Sequence, residues 1–177
     1  MVEGVVGDHL TACEGFAAVI EAVPAGAWSS SSPCPEWDAR GVVEHVIGFH
    51  DVLVLRPLDA KPMRPADDPS GRWAATVDAL RTCLAATDAL APKMASLLPH
   101  LTTEVIVHTW DLATATGQEV ETDPALTRAA LERALASAGQ LGSDMFAAPV
   151  TVDERAPDLD RLVGLVGRDP NWSATRA

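Results

Sequence analysis

Apolar residues recur at helical spacing through most of this chain, and proline or glycine marks nearly every break in the pattern. Such a sequence folds into short helices that must each bury one face against the others. Over residues 8–23, Leu10, Cys13, Phe16, Ala17 and Ile20 share a face, and Pro24-Ala-Gly26 ends the run. A loop over 29–35 finishes in Pro-Cys-Pro, and Asp38 then stands as N-cap of a second helix reaching about Leu55. Arg56-Pro57 closes it, because a residue before proline avoids helical geometry. Residues 58–71, with Pro62, Pro65 and Pro69, read as an irregular crossing loop. Trp73, Val77, Leu80 and Leu84 mark a third helix over 73–90, and Pro92 and Pro99 bracket a connector. A fourth helix over 101–116 stops at Gly117, and Asp123-Pro124 opens a fifth. Beyond Gly139 the pattern weakens: 149–152 reads as a short strand, 158–166 as a short helix and 168–172 as a terminal turn.

At 177 residues the chain has room for one domain with a real core. The expected architecture is all-α: a four-helix bundle over residues 1–138, with one long crossover, and a short appendage over 139–177 packed on it. A net charge of −12 repels phosphate backbones and anionic headgroups, which excludes nucleic acid and membrane surfaces as partners. No apolar run approaches the roughly 18 residues of a membrane span. No basic stretch followed by an apolar one opens the chain, so no signal peptide is expected. Cys13, Cys34 and Cys83 are odd in number and form no Cys-x-x-Cys pair; they read as reduced thiols of a cytoplasmic protein.

Glu104-Val-Ile-Val-His108 puts a carboxylate and an imidazole one turn apart on one helix face, a sensible half of a metal site. The same spacing also suits an exposed ion pair worth a few tenths of a kcal/mol. A third ligand has to come from another helix. His45 and His50 both flank the apolar stripe formed by Val42, Val46, Phe49 and Leu53, so periodicity does not choose between them. Either also suits a core-edge histidine bonded to a backbone carbonyl. Asp111, one turn beyond His108, either orients that ring or is a polar residue in the cavity or at the surface.

Two separated stretches carry a family resemblance. Residues 32–48 read S-P-C-P-E-W-D-A-R-G-V-V-E-H-V-I-G, and residues 104–118 read E-V-I-V-H-T-W-D-L-A-T-A-T-G-Q. Together they resemble the two motifs of the mycothiol-dependent maleylpyruvate isomerase family, within the DinB-like metalloprotein superfamily. The tail over 146–172, with Pro149-Val150 and G-R-D-P-N-W, is similar to a compact actinobacterial branch. Ser32 stands where the family usually has threonine, and a hydroxyl is kept. The resemblance implies an up-down-down-up four-helix bundle in which His45, Glu104 and His108 bind a divalent ion, usually zinc; His50 falls outside the motif. It also implies mycothiol as thiol cosubstrate. The larger C-terminal domain of the isomerase proper has no counterpart in the 38 residues after Gly139.

Two histidines and one glutamate leave a coordination position open, the pattern of a catalytic site. The expected function is therefore activation of a low-molecular-weight thiol for S-transfer to, or cis-trans isomerisation of, a small electrophile. The expected partners are those two small molecules, and a homodimer is left open. A metal-independent small-molecule-binding or biosynthetic accessory protein on the same bundle is the alternative, and a structural or regulatory partner protein a third reading. Arg56, Arg64, Arg72 and Arg81 stand as candidates for a substrate carboxylate or as solvated surface residues. Cys34, between two prolines, reads as a packing or turn residue, and Trp37 and Trp110 as core anchors.

Overall fold

In the computed structural model, which describes residues 2–86, 92–137 and 148–174, every regular element is a helix. In chain order these are α1 (Val2–Glu21), α2 (Ala39–His50), α3 (Pro69–Ala85), α4 (Pro92–Thr116), α5 (Pro124–Ser137) and α6 (Asp158–Leu165). α2 runs without a break into a wider π-helical turn, Asp51–Leu55. None of the described helices is long and apolar enough to cross a membrane.

Several ends follow from local chemistry. Asp38 is extended, and its carboxylate accepts the Gly41 N–H at 2.8 Å, satisfying a donor that the first turn of α2 leaves without a helical partner. Asp123 accepts the N–H groups of Ala125 and Leu126 in the same way. Gly117 adopts φ +71°, which lets Gln118 N–H reach back to Ala113 C=O at 2.9 Å and close α4.

Other ends depart from the sequence reading. α1 spans Val2–Glu21 rather than 8–23, and α3 begins at Pro69, four residues before Trp73. Its start repeats the Asp-Pro pattern of α5, here as Asp68-Pro69, although Asp68 makes no side-chain cap bond. The last residues expected of α3, 87–90, lie outside the described residues, as do Gly139, Phe146 and the boundary placed at 138/139. The connector between Pro92 and Pro99 is instead helical: α4 starts at Pro92 and carries Pro99 inside it. Proline there deprives Ala95 C=O of its helical donor, a cost of about 3 kcal/mol. Burial of Met94, Leu98 and Leu101 offsets it, at about 1.5–3 kcal/mol for each fully buried side chain.

The first four helices pack in a closed ring. α1 touches α3 and α4, and α2 touches the same two, so α1 and α2 face each other across the bundle. Phe16, Val42, Leu55, Trp73, Leu80, Leu98 and Leu112 fill the interior, with Phe16 set edge-on to Trp73 at 5.0 Å. α5 lies against α4 and α6, and α6 reaches back to α4. The strand expected at 149–152 does not form. That segment is irregular and finds no partner strand among the described residues; Val150 N–H instead bonds Gly164 C=O of α6 at 2.8 Å. A side chain at Gly164 would meet Val152 and the Val150 carbonyl, so glycine is what lets the tail lie this close.

Candidate functional site

The long α4 presents Glu104, His108 and Asp111 in succession toward one side. His108 is 2% exposed and Asp111 is fully buried. The Nδ1 of His108 lies 2.9 Å from Asp111 Oδ2. A carboxylate only accepts, so Nδ1 carries a proton, and in the neutral ring that a metal needs Nε2 has the lone pair. That Nε2 lies 3.8 Å from Glu104 Oε2, less than two metal–ligand bonds of about 2.0–2.2 Å laid end to end. Burial pushes the Glu104 carboxyl up, while His108 and Arg168 pull it back down.

His45 of α2 stands beside this pair but does not complete a ligand set with it: among the described residues only His9, Cys13 and His50 bring three ligand atoms within 4.8 Å of one another. The His45 ring lies 4.9 Å from that of His108, and Trp37 stacks on it at 3.9 Å, nearly parallel. Trp37, expected as a core anchor, is half-buried and serves as a wall to the His45 ring. Its position is set by the turn before α2: the Ser32 hydroxyl accepts the Cys34 N–H and lies 2.7 Å from the Trp37 carbonyl. The hydroxyl at Ser32 therefore has a structural task, and Cys34 is the buried turn residue expected. Desolvation, then the nearby His108 and Arg168, lowers His45 to about 4. Its imidazole is thus neutral at pH 7, as a ligand must be.

Sequence reasoning missed one residue here. Arg168, in the turn after α6, donates to both oxygens of Asp111, at 3.1 and 3.4 Å, and to Val166 C=O. It is 9% exposed. A chain of contacts thus runs from the tail through Arg168 and Asp111 to His108. The arginines considered from the sequence are engaged elsewhere, Arg64 with Asp51, Arg72 with Glu44 and Arg81 with Glu14, while Arg56 is exposed. Only the resemblance of the G-R-D-P-N-W segment pointed toward the tail.

His50 turns away from this group. Five residues beyond His45 is about 140° around a helix, and His50 points to the bundle interior. There its Nε2 lies 3.1 Å from His9 Nε2, with Cys13 Sγ 3.8 Å from the same His9 nitrogen. All three residues are fully buried, and their ligand atoms lie within 4.8 Å of one another, so the cluster can hold a metal ion. Burial lowers His9 to about 4 and His50 to about 3, and raises the Cys13 thiol to about 12. No disulfide joins the three cysteines.

Comparison with known proteins agrees with the chain's two motifs. The model of the mycothiol maleylpyruvate isomerase N-terminal domain matches residues 9–113. Two uncharacterized proteins of Mycobacterium tuberculosis, from strains CDC 1551 / Oshkosh and ATCC 25618 / H37Rv, are each 32% identical over 179 residues. Each alignment covers 90% of this chain and 95% of the relative. No solved structure matches the chain at a significant level.

Proposed function

The chain belongs to the mycothiol maleylpyruvate isomerase N-terminal domain family, and from that premise we propose that His45, Glu104 and His108 bind a divalent ion, zinc above all, for thiol chemistry. The observation that carries this reading is the approach of a neutral His45 to a His108 whose Nε2 is left free by the bond from Nδ1 to Asp111. Two imidazole nitrogens and a carboxylate oxygen suit zinc and leave a position open. The closed ring of α1, α3, α2 and α4 supports the up-down-down-up bundle of the DinB-like superfamily, carried by residues 1–138 with 139–177 as appendage.

Held by His45, Glu104 and His108, such an ion would supply stabilisation of the thiolate of a low-molecular-weight thiol such as mycothiol at neutral pH. The chain's own residues do the rest. Trp37 holds the His45 ring flat on one side, and Asp111 fixes the tautomer of His108. Arg168 keeps a positive charge beside Asp111 and Glu104. Such a thiolate would attack an electrophilic carbon: expulsion of a leaving group with its bonding electron pair would make the protein an S-transferase, and addition to a cis double bond, rotation and elimination of the same thiolate would make it an isomerase. A second reading is a metal-independent small-molecule binder, whose ligand would rest in the open surface depression lined by Trp110, Glu121, Pro157 and Asp160, among others, away from the His108 group.

The test is zinc uptake by the metal-stripped protein, read beside consumption of mycothiol with a panel of small electrophiles. One equivalent that restores thiol consumption, and that is lost in His45→Ala and His108→Ala, is the expected result. Thiol consumption or ligand binding unchanged in both variants would instead establish the metal-independent reading.

A further inference from the structure

We propose that His9, Cys13 and His50 form a second, closed metal site, built for a soft monovalent cation of the copper(I) class. The site stands apart from the group at His108 and does not depend on that group's function.

Its geometry is that of a ligand set. His9 and Cys13 lie one turn apart on α1, and His50 comes from the end of α2 across the bundle, where the helix widens into the π-turn. For a trigonal ion with bonds of about 2.0 Å to nitrogen and about 2.3 Å to sulfur, neighbouring nitrogens lie about 3.5 Å apart and nitrogen and sulfur about 3.7 Å. The observed separations are 3.1 Å between Nε2 atoms and 3.8 Å from Cys13 Sγ to His9 Nε2, and the third pair, Cys13 with His50, lies within 4.8 Å, so a bound ion would draw that edge in.

The outer bonds turn the lone pairs inward. Val46 C=O lies 2.7 Å from His50 Nδ1 and only accepts, so that nitrogen carries the proton and His50 Nε2 a lone pair. Thr102 Oγ1 donates to Leu98 C=O at 2.8 Å, which leaves it to accept from His9 Nδ1 at 3.2 Å. Both Nε2 lone pairs then face each other, an arrangement that calls for a cation beside them. Metal-bound histidines typically commit the outer nitrogen in this way. The metal-free arrangement requires Thr102 to turn its hydroxyl from Leu98 to His9, so that His9 Nε2–H donates to His50, and it leaves Cys13 Sγ only a long 3.8 Å contact with the same nitrogen.

Charge and coordination number select the ion. Among the described groups around the cluster are the Trp73 ring, 5.5 Å from His50, Thr102 of α4, and Arg64 and Arg81, whose positive charges are felt at His50 and Cys13. Glu14 is the carboxylate felt at Cys13, and it is paired with Arg81. A divalent ion on one thiolate and two neutral imidazoles would leave a net positive charge in a dry core, which is strongly disfavoured. A monovalent ion leaves none. Thiolate and imidazole together suit copper(I), which is content with three ligands where zinc wants a fourth. Binding releases one proton: the Cys13 S–H bond breaks, the sulfur–metal bond forms, the proton leaves to solvent, and no electron moves.

The experiment is anaerobic titration of the full chain carrying His45→Ala and His108→Ala with copper(I) against a competing chelator, with zinc as comparison. One equivalent of copper(I) retained through desalting, and X-ray absorption showing one sulfur and two nitrogens, is the expected result. Loss of an outer partner of a metal ligand typically costs 10–100-fold in affinity, so Cys13→Ser should weaken binding by at least about 100-fold, while Cys34→Ser leaves it unchanged. If Cys13→Ser fails to fold, His9→Gln and the absorption spectrum of the unsubstituted cluster carry the test. No uptake, uptake indifferent to both substitutions, or stoichiometric zinc in preference to copper(I) would each overturn the proposal.

Discussion

Replacing Asp111 with alanine isolates what the buried chain from the tail to His108 contributes. Asp111 is fully buried; its Oδ2 takes a bond from His108 at 2.9 Å and one from Arg168 at 3.1 Å. Without it, the Arg168 guanidinium, 9% exposed, keeps only Val166 C=O, and the His108 Nδ1–H has no acceptor. Removing one partner of a buried ion pair costs about 3–5 kcal/mol, because the other charge stays buried and uncompensated. For a domain whose total stability is about 5–15 kcal/mol that is a large fraction. Arg168→Met should cost a similar amount, since it strands the carboxylate. Asp111→Leu combined with Arg168→Met removes both charges and should cost less than either single substitution. Urea unfolding followed by circular dichroism measures all three, with equal slopes as the check on two-state behaviour. A cost below about 1 kcal/mol for Asp111→Ala, or a double variant equal to the sum of the singles, would refute a buried coupled pair.

Other consequences are more local. Trp73→Ala empties the site of a ring that is 1% exposed and packs on Phe16, and should cost about 3–5 kcal/mol by the same urea assay. Asp38→Ala removes the α2 cap and should cost about 1 kcal/mol, with no change in slope. Gly164→Ala drives a methyl into Val152 and the Val150 carbonyl, and should cost about 1–3 kcal/mol while raising proteolysis within residues 148–152; unchanged cleavage would count against that packing. The Cys34 thiol is raised by burial above its ordinary 9.0, so at pH 8 it holds less thiolate than in the unfolded chain. Peptide mapping should find it alkylated more slowly in the native protein, the rate still rising above pH 9; equal native and unfolded rates would contradict its burial.

The helical identity of the chain was legible because it rests on local chemistry. Periodicity located α1 to α5 to within a few residues apart from the start of α4, while Asp38, Gly117 and Asp123-Pro124 acted at the ends of α2, α4 and α5 through bonds spanning a few residues. The Glu104–His108 pairing was legible for the same reason, since four residues are one turn. Pro99 misled the reading because a proline's helix-breaking cost is local, whereas the burial of Leu98 and Leu101 that overrides it comes from other helices. The apparent strand at 149–152 failed likewise: alternation is a local pattern, but a strand needs a partner, and α6 occupies that place.

Periodicity left His45 and His50 alike; family resemblance preferred His45, and only the tertiary structure shows where each ring goes. Both flank one apolar stripe, and only the placement of α4 and α1 sends the first toward His108 and the second toward His9. Arg168 reaches Asp111 across 57 positions of sequence, and His9 reaches His50 across 41. No periodicity spans such separations. They are fixed when buried side chains find the partners that compensate their charge and hydrogen-bonding groups, which happens only once the helices have packed.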